Sequence, residues 1–232
     1  MRTKEEFDTW FSSHGGDPWG YAGDFVQSRL DRSLAFVRQQ VPAAYANAFV
    51  ELGAFNGDFT ARLAGSFPSS RIIANDISQV AIAQAREKAG GFPNVGFDIS
   101  DLSSFEAPDE IKGIPITLLI MECLYYLGRD EQGPALERLV ETLHRPLTFI
   151  SGPAQGDNVS ASFLSETTLV AIMEKQGYAA PEVRVLNWTD ELRTLMGGKS
   201  DEEHAATAIR LDTDQEFRMR YGRQVIYCFK PG

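Results

Sequence analysis

Val50-Glu51-Leu52-Gly53-Ala54-Phe55-Asn56-Gly57-Asp58-Phe59 decides the reading of this chain. An apolar run ends in an acid and a glycine. A second glycine follows four positions later, and a helical pattern begins after it. A strand turning through glycines into a helix is the opening unit of an α/β sheet. The same alternation continues outward from it. Strand-like runs occupy residues 47–53, 71–76, 94–98, 115–121, 147–152, 181–187 and 223–229. Helical segments at about 57–65, 78–89, 130–143 and 163–177 separate them, the last stopped by Gly177. This predicts a seven-stranded, mostly parallel sheet with helices on both faces. Two helices, 4–12 and 22–40, precede it, the second with Phe25, Leu30, Leu34, Phe36 and Val37 at helical spacing. We expect an N-terminal helical cover over residues 1–45 and a single compact domain over 46–232. Trp188 to Tyr221 has no clean strand and reads as a lid or binding insertion, with the final strand a candidate for antiparallel pairing.

The composition narrows the function classes. The chain has 232 residues, 43% of them hydrophobic, and a net charge of −10. Proteins that grip phosphates carry a basic face. No basic run is present, so no nucleic-acid partner is expected. The acidic balance favours a neutral or cationic small molecule, or serves solubility alone. Cys123 and Cys228 form no C-x-x-C, and no Cys/His cluster has metal-ligand spacing, so no metal is expected. The opening MRTKEEFDTWF is too charged for a secretory signal, and no apolar run approaches the roughly 20 residues of a membrane helix. The expected compartment is the cytoplasm.

The glycine loop distinguishes two nucleotide ligands. Dinucleotides need G-x-G-x-x-G, but positions 53, 55 and 58 read Gly, Phe and Asp, and Asp58 sets a negative charge where a phosphate would lie. S-adenosylmethionine has no phosphate. It needs a tight turn and an acid near its ammonium group, which Glu51, Gly53 and Gly57 supply. Asp76, about 20 residues on, suits a ribose diol because each carboxylate oxygen accepts one hydroxyl. Asp101, after the third strand, can accept from an adenine amino group while the next backbone N–H donates. Each feature alone is also a turn or a helix cap; their order at successive strand ends makes them specific.

With these residues in place, the chain resembles a class I S-adenosylmethionine-dependent methyltransferase over roughly residues 15–152, and more weakly to 230. It is closest to the nodulation-type (NodS-like) small-molecule N-methyltransferases. Asp17-Pro18-Trp19-Gly20-Tyr21, followed by a helix with Arg29, resembles that family's N-terminal element. Glu51-Leu52-Gly53 with Gly57 resembles its glycine motif, and Glu122-Cys123-Leu124-Tyr125-Tyr126-Leu127 its segment after the fourth strand. The resemblance implies a Rossmann-like class I methyltransferase fold. It implies that Glu51 and the Gly53–Ala54 backbone hold the methionine part of the cofactor, and that Asp76 holds the ribose with Ile77 against the adenine. Asp101 and Leu102 would read the adenine edge. Trp19 and Arg29 would reach the cofactor carboxylate, and Met121 and Glu122 would line the point where cofactor meets acceptor. Phe55 departs from the family's middle glycine; it changes the loop's shape or presses its ring toward the cofactor.

Methyl transfer from a sulfonium asks the protein to align the nucleophile and exclude water. An amine needs no strong base, whereas a hydroxyl or carboxyl must lose its proton. Glu122 is the leading candidate to face the acceptor, with Tyr21, Tyr125 and Tyr126 as aromatic walls for a cation. His14, before the DPWGY stretch, is the candidate base; His204 lies in an acidic run, and His144 at the opposite end of the sheet. The expected reaction is methylation of a small-molecule amine. The alternatives are O-methylation of a hydroxyl or carboxyl with His14 or His204 as base, and a non-catalytic cofactor-binding subunit or regulator.

Overall fold

A computed structural model describes residues 3–15, 17, 18, 20, 21, 23–42, 47–154 and 163–232. Seven strands form one sheet: β1 (Ala48–Leu52), β2 (Arg71–Asp76), β3 (Val95–Ile99), β4 (Ile116–Met121), β5 (Leu147–Pro153), β6 (Glu182–Trp188) and β7 (Gly222–Phe229). The order across the sheet is β3-β2-β1-β4-β5-β7-β6. The first five run parallel. β7 is antiparallel to both β5 and β6, in line with the antiparallel pairing expected of the final strand. β1 pairs with β2 on one side and β4 on the other, so the strand order reverses there, where open α/β sheets form their ligand crevice.

Both faces of the sheet are buried because successive strand residues point to opposite sides. Phe49, Leu119 and Phe149 pack with Phe36 and Val37 of α2 (Asp24–Gln40) and Leu63 of α3 (Asp58–Ser66). Their neighbours Val50, Leu118 and Ile150 pack on the other side with Leu136 and Leu139 of α5 (Arg129–Thr142) and Leu169 of α6 (Glu166–Lys175). α4 (Gln79–Ala89) follows β2, and three helices join β6 to β7: α7 (Asp190–Met196), α8 (Asp201–Thr213) and α9 (Gln215–Tyr221). The segment without strands is therefore helical. Among the described residues no helix is long and apolar enough to cross a membrane.

α1 (Lys4–Ser13) starts in a reciprocal cap between Thr3 and Glu6. It buries Phe7 and Phe11. Asp8 fastens it to the start of α4, accepting from Ser78 Oγ at 2.5 Å and from the Val80 N–H at 3.3 Å. A carboxylate suits that end of a helix, whose first N–H groups lack partners and whose dipole is positive.

Candidate functional site

A cavity of about 730 Å³ opens at the carboxyl ends of the parallel strands. Its floor is the loop after β1. Gly53 has φ +80°, and a Cβ there would lie 2.7 Å from the Cβ of Cys123, so only glycine fits. The Gly53 and Ala54 N–H groups both donate to the Asn75 carbonyl at 2.9 Å. They tie β1 to β2, so both donors are engaged within the sheet. Ala54 is buried beneath the loop rather than on the cavity wall.

Phe55 takes a left-handed conformation, φ +46°, where glycine is usual. Its N–H donates to Asp76 Oδ2 at 3.0 Å. Its ring lines the cavity, stacked on Phe11 at 5.1 Å and edge-on to Tyr21 at 4.6 Å. The loop keeps a glycine-like turn and gains an aromatic wall. Asp76 lies at the end of β2 and also accepts the Ser78 N–H at 2.9 Å. Burial pushes its carboxyl up to about 6, against those backbone donors. With backbone donors from Phe55, Ser78 and Ile77, the carboxylate keeps accepting capacity for a hydroxyl. Ile77, Asp101 and Leu102 complete this end. Asp101 Oδ1 caps the following turn through the Ser103 N–H at 2.7 Å, so Oδ2 is the oxygen left to face a ligand.

Glu51 is placed differently from the expectation. It is 1% exposed, accepts from Thr60 Oγ1 at 2.7 Å and does not reach the main cavity. Burial lifts its carboxyl to about 8. With Arg29, Gly53 and Ala54 it borders a void of about 20 Å³ under the loop. One water fits such a space, so Glu51 acts at most through a bridge.

The far end of the cavity gathers Tyr21, Arg29, Met121, Glu122, Tyr125 and Tyr126. Glu122 follows β4 with φ +55°, a strained setting worth about 1–3 kcal/mol. Its N–H donates to Ser151 Oγ at 3.1 Å and to the Ser151 carbonyl at 3.3 Å, which holds the strained residue in place. Tyr125 donates to Glu122 Oε2 at 3.4 Å. Arg29 Nη1 stands 3.9 Å from Glu122 Oε1, beyond hydrogen-bond range, and that buried oxygen has no hydrogen-bond partner among the described residues. Burial pushes Glu122 up despite Arg29. Burial opposes the charge on Arg29, yet Glu122 and Tyr21 carry it above its ordinary value. Arg29 Nη2 also reaches the Tyr21 hydroxyl at 3.4 Å. Burial raises the Tyr21 and Tyr125 phenols, so neither is a base near neutral pH. Tyr126 packs edge-on against Phe7 at 5.2 Å.

Among the described residues no histidine lines this cavity. The structure does not bring His14 to it: the side chain is exposed, with Nδ1 2.9 Å from the Trp10 carbonyl. His204 stacks on Trp188 at 6.0 Å, and His144 occupies the turn before β5. Trp19 lies outside the described residues. Sequence reasoning missed three contributors. Asn75, 1% exposed, donates to Asp98 and Ser100 at 2.8 Å each and borders the cavity. Gln224 and Arg223, at the start of β7, line the far wall with the first turn of α7. A diol acceptor, aromatic faces, a buried guanidinium and a half-vacant carboxyl suit a nucleoside with a charged tail beside a second, polar small molecule.

Known proteins resemble the chain in sequence and in fold. A family model described as Nodulation protein S (NodS) matches residues 13–191. Trans-aconitate 2-methyltransferase of Acidovorax sp. (strain JS42) is 42% identical over 62 residues, 27% of this chain and 24% of that protein. The chain thus spans about a quarter of the length of the curated relatives it matches. The N-methyltransferase NodS from Bradyrhizobium japonicum WM9, in complex with S-adenosyl-L-homocysteine, superposes with a TM-score of 0.61 at 17% identity, covering 97% of this chain and 98% of that one. Magnesium protoporphyrin IX methyltransferase (ChlM) from Synechocystis PCC 6803, with bound SAM, gives 0.64 at 16% identity, with 98% and 97% covered. At these identities the superpositions establish the fold.

Proposed function

The chain belongs to the nodulation protein S (NodS) family, and on that premise we propose that it is an S-adenosylmethionine-dependent methyltransferase acting on the amine nitrogen of a small molecule. When bound, the cofactor supplies a methyl group on a sulfonium sulfur. Asp76 would hold its ribose, Asp101 and Leu102 its adenine edge, and Arg29 its carboxylate, for which a guanidinium fork is suited. Ile77 and the Phe11–Phe55–Tyr21 wall would exclude water from the reacting centre.

The single observation that carries the choice of nitrogen is the vacant Oε1 of Glu122. A buried acceptor without a partner costs free energy until a donor arrives. An amine N–H is such a donor, and it places the nitrogen lone pair away from the carboxylate. Burial raises the Glu122 carboxyl, which strengthens it as an acceptor for the proton the nitrogen sheds. A deprotonated carboxyl acceptor would meet repulsion there. The missing histidine also disfavours hydroxyl acceptors. Methylation of a carboxyl oxygen is the second reading, favoured by the trans-aconitate match and by Arg223 on the wall.

The test is product analysis with methyl-labelled cofactor and matched primary amines and carboxylic acids. N-methyl products, abolished by Glu122→Gln with S-adenosylhomocysteine affinity retained, support the proposal. Methyl esters alone would overturn the nitrogen assignment, and cofactor binding without turnover of any acceptor would favour a non-catalytic binder.

A further inference from the structure

The far wall of the cavity, where α7 and β7 begin, holds Asp190, Glu191 and Arg223. Asp190 stands 3.6 Å from Arg193 and Glu191 stands 3.6 Å from Arg220, so each carboxylate has a guanidinium beside it. Arg223 forms no ion pair among the described residues. Its guanidinium lies over the Phe25 ring, 5.4 Å from the centroid, and Arg193 lies 5.0 Å from the same ring. That half-buried ring belongs to α2 and also lines the cavity. An aromatic face attracts a guanidinium yet satisfies none of its N–H donors in the plane. Two cations drawn to one ring also repel each other, and an anion beside them relieves that repulsion. Arg193, Arg220 and Arg223 outnumber Asp190 and Glu191, so this group leaves a positive surplus in a chain whose net charge is −10. The remaining charges on the cavity wall are Arg29 facing Glu122, with Asp76 and Asp101 at the opposite end.

We propose that Arg223, backed by Phe25, determines acceptor specificity by holding an anionic group, a carboxylate or a phosphate, so that the acceptor is an amine that also carries an anion. The proposal rests on the reading of the cavity as a methyltransferase site with Glu122 facing the acceptor. A guanidinium fork suits either anion because it donates to two oxygens at once. The strand register separates the two ends of the acceptor. Met121, the residue before Glu122, is level with Ser151 on β5. Gln224 is level with Pro153, and the Ala154 N–H donates to the Arg223 carbonyl at 3.1 Å. Arg223 therefore stands about three residues, roughly 10 Å, beyond the strand level of Met121. An anion held there is a handle set apart from the nitrogen at Glu122. A simple cation would gain at Glu122 and lose at Arg223, and a molecule with both charges gains at both. Asp190 and Glu191 do not cancel Arg223, because Arg193 and Arg220 offset them.

The experiment is an NMR titration of arginine-labelled protein, with the Arg223 Nε–Hε resonance assigned by its loss in Arg223→Gln. The probes are a homologous series of ω-amino carboxylates, the matching ω-amino phosphates, and alkylamines of the same lengths, each with S-adenosylhomocysteine present and absent. No turnover is needed, so failure here is distinct from failure of the methyltransferase reading, which calorimetry with S-adenosylhomocysteine tests. The Arg223 resonance should shift saturably with an anionic series and stay fixed with the alkylamines. Arg223→Gln should weaken binding of that series about tenfold and leave alkylamine binding unchanged. Arg223 is exposed, so its replacement should leave the fold in place. An Arg223-dependent affinity confined to the carboxylates assigns a carboxylate handle, and one confined to the phosphates assigns a phosphate. Equal affinity of wild type and Arg223→Gln for both anionic series would overturn the proposal, as would tighter binding of the alkylamines than of both anionic counterparts.

Discussion

Arg29 on α2 and Glu122 after β4 face each other across the cavity at 3.9 Å, with side chains 9% and 10% exposed. The pair joins the N-terminal helices to the sheet. It is close enough to attract and too far to share a proton. Removing one partner of a buried pair is costly chiefly through the charge left behind. Arg29→Met should therefore destabilise by on the order of 2–3 kcal/mol at pH 8. The loss should be smaller at pH 5.5. Burial already raises Glu122 in the folded protein, and without Arg29 it rises further, so the protonated form relieves the cost at low pH. Glu122→Gln leaves the buried Arg29 charge without its counter-charge, so it should also destabilise at pH 8. Denaturant unfolding of both variants at the two pH values checks this; an Arg29→Met loss that is equal at pH 8 and pH 5.5 would contradict it.

Glu51 gives a second pH signature. Its ordinary value is 4.5, and burial lifts it to about 8 in the folded state. A raised carboxyl favours folding while both states are protonated, and that advantage is lost as pH climbs through the folded value. Glu51→Gln removes this dependence. The melting temperature of the variant should gain on wild type steadily from pH 5 to 8.5. A constant difference across that range would show that Glu51 is ionised in the fold.

The glycine loop allows a paired test of backbone and ring. Gly53→Ala introduces a Cβ 2.7 Å from Cys123 at φ +80°, so it should cost about 2 kcal/mol or more and disrupt the cavity floor. Phe55→Gly relieves its own φ of +46° but deletes the ring between Phe11 and Tyr21. The loop should persist while α1 loosens. Hydrogen exchange of the α1 amides should accelerate about tenfold or more, equivalent to roughly 1.4 kcal/mol of local stability. Unchanged exchange would mean that Asp8 at the start of α4 holds α1 without help from the ring.

Local patterns account for how much could be read in advance. All seven strands and the flanking helices appear in the sequence because continuous apolar runs and glycine stops are short-range signals. Asp76, Asp101 and Glu122 are legible because each ends a strand. What escaped depends on distant contacts. Asn75 precedes Asp76 without any motif, and only its bonds to Asp98 and Ser100 show its part. Gln224 lies about a hundred residues beyond Glu122 and joins the wall of the same cavity only because β7 reverses direction. Glu51 fits a motif, yet its rotamer turns to Thr60 rather than the cavity, and no pattern in the chain encodes that choice. His14 was plausible by proximity to the DPWGY stretch, but its ring is held at the end of its own helix.

An adenosyl cofactor seated on Asp76 is open to a direct check, calorimetric titration with S-adenosylhomocysteine on wild type and on Asp76→Ala. Wild type should bind at micromolar concentration, and the substitution should weaken binding by about tenfold or more, roughly 1.4 kcal/mol. No binding to wild type, or equal binding by both proteins, would contradict it.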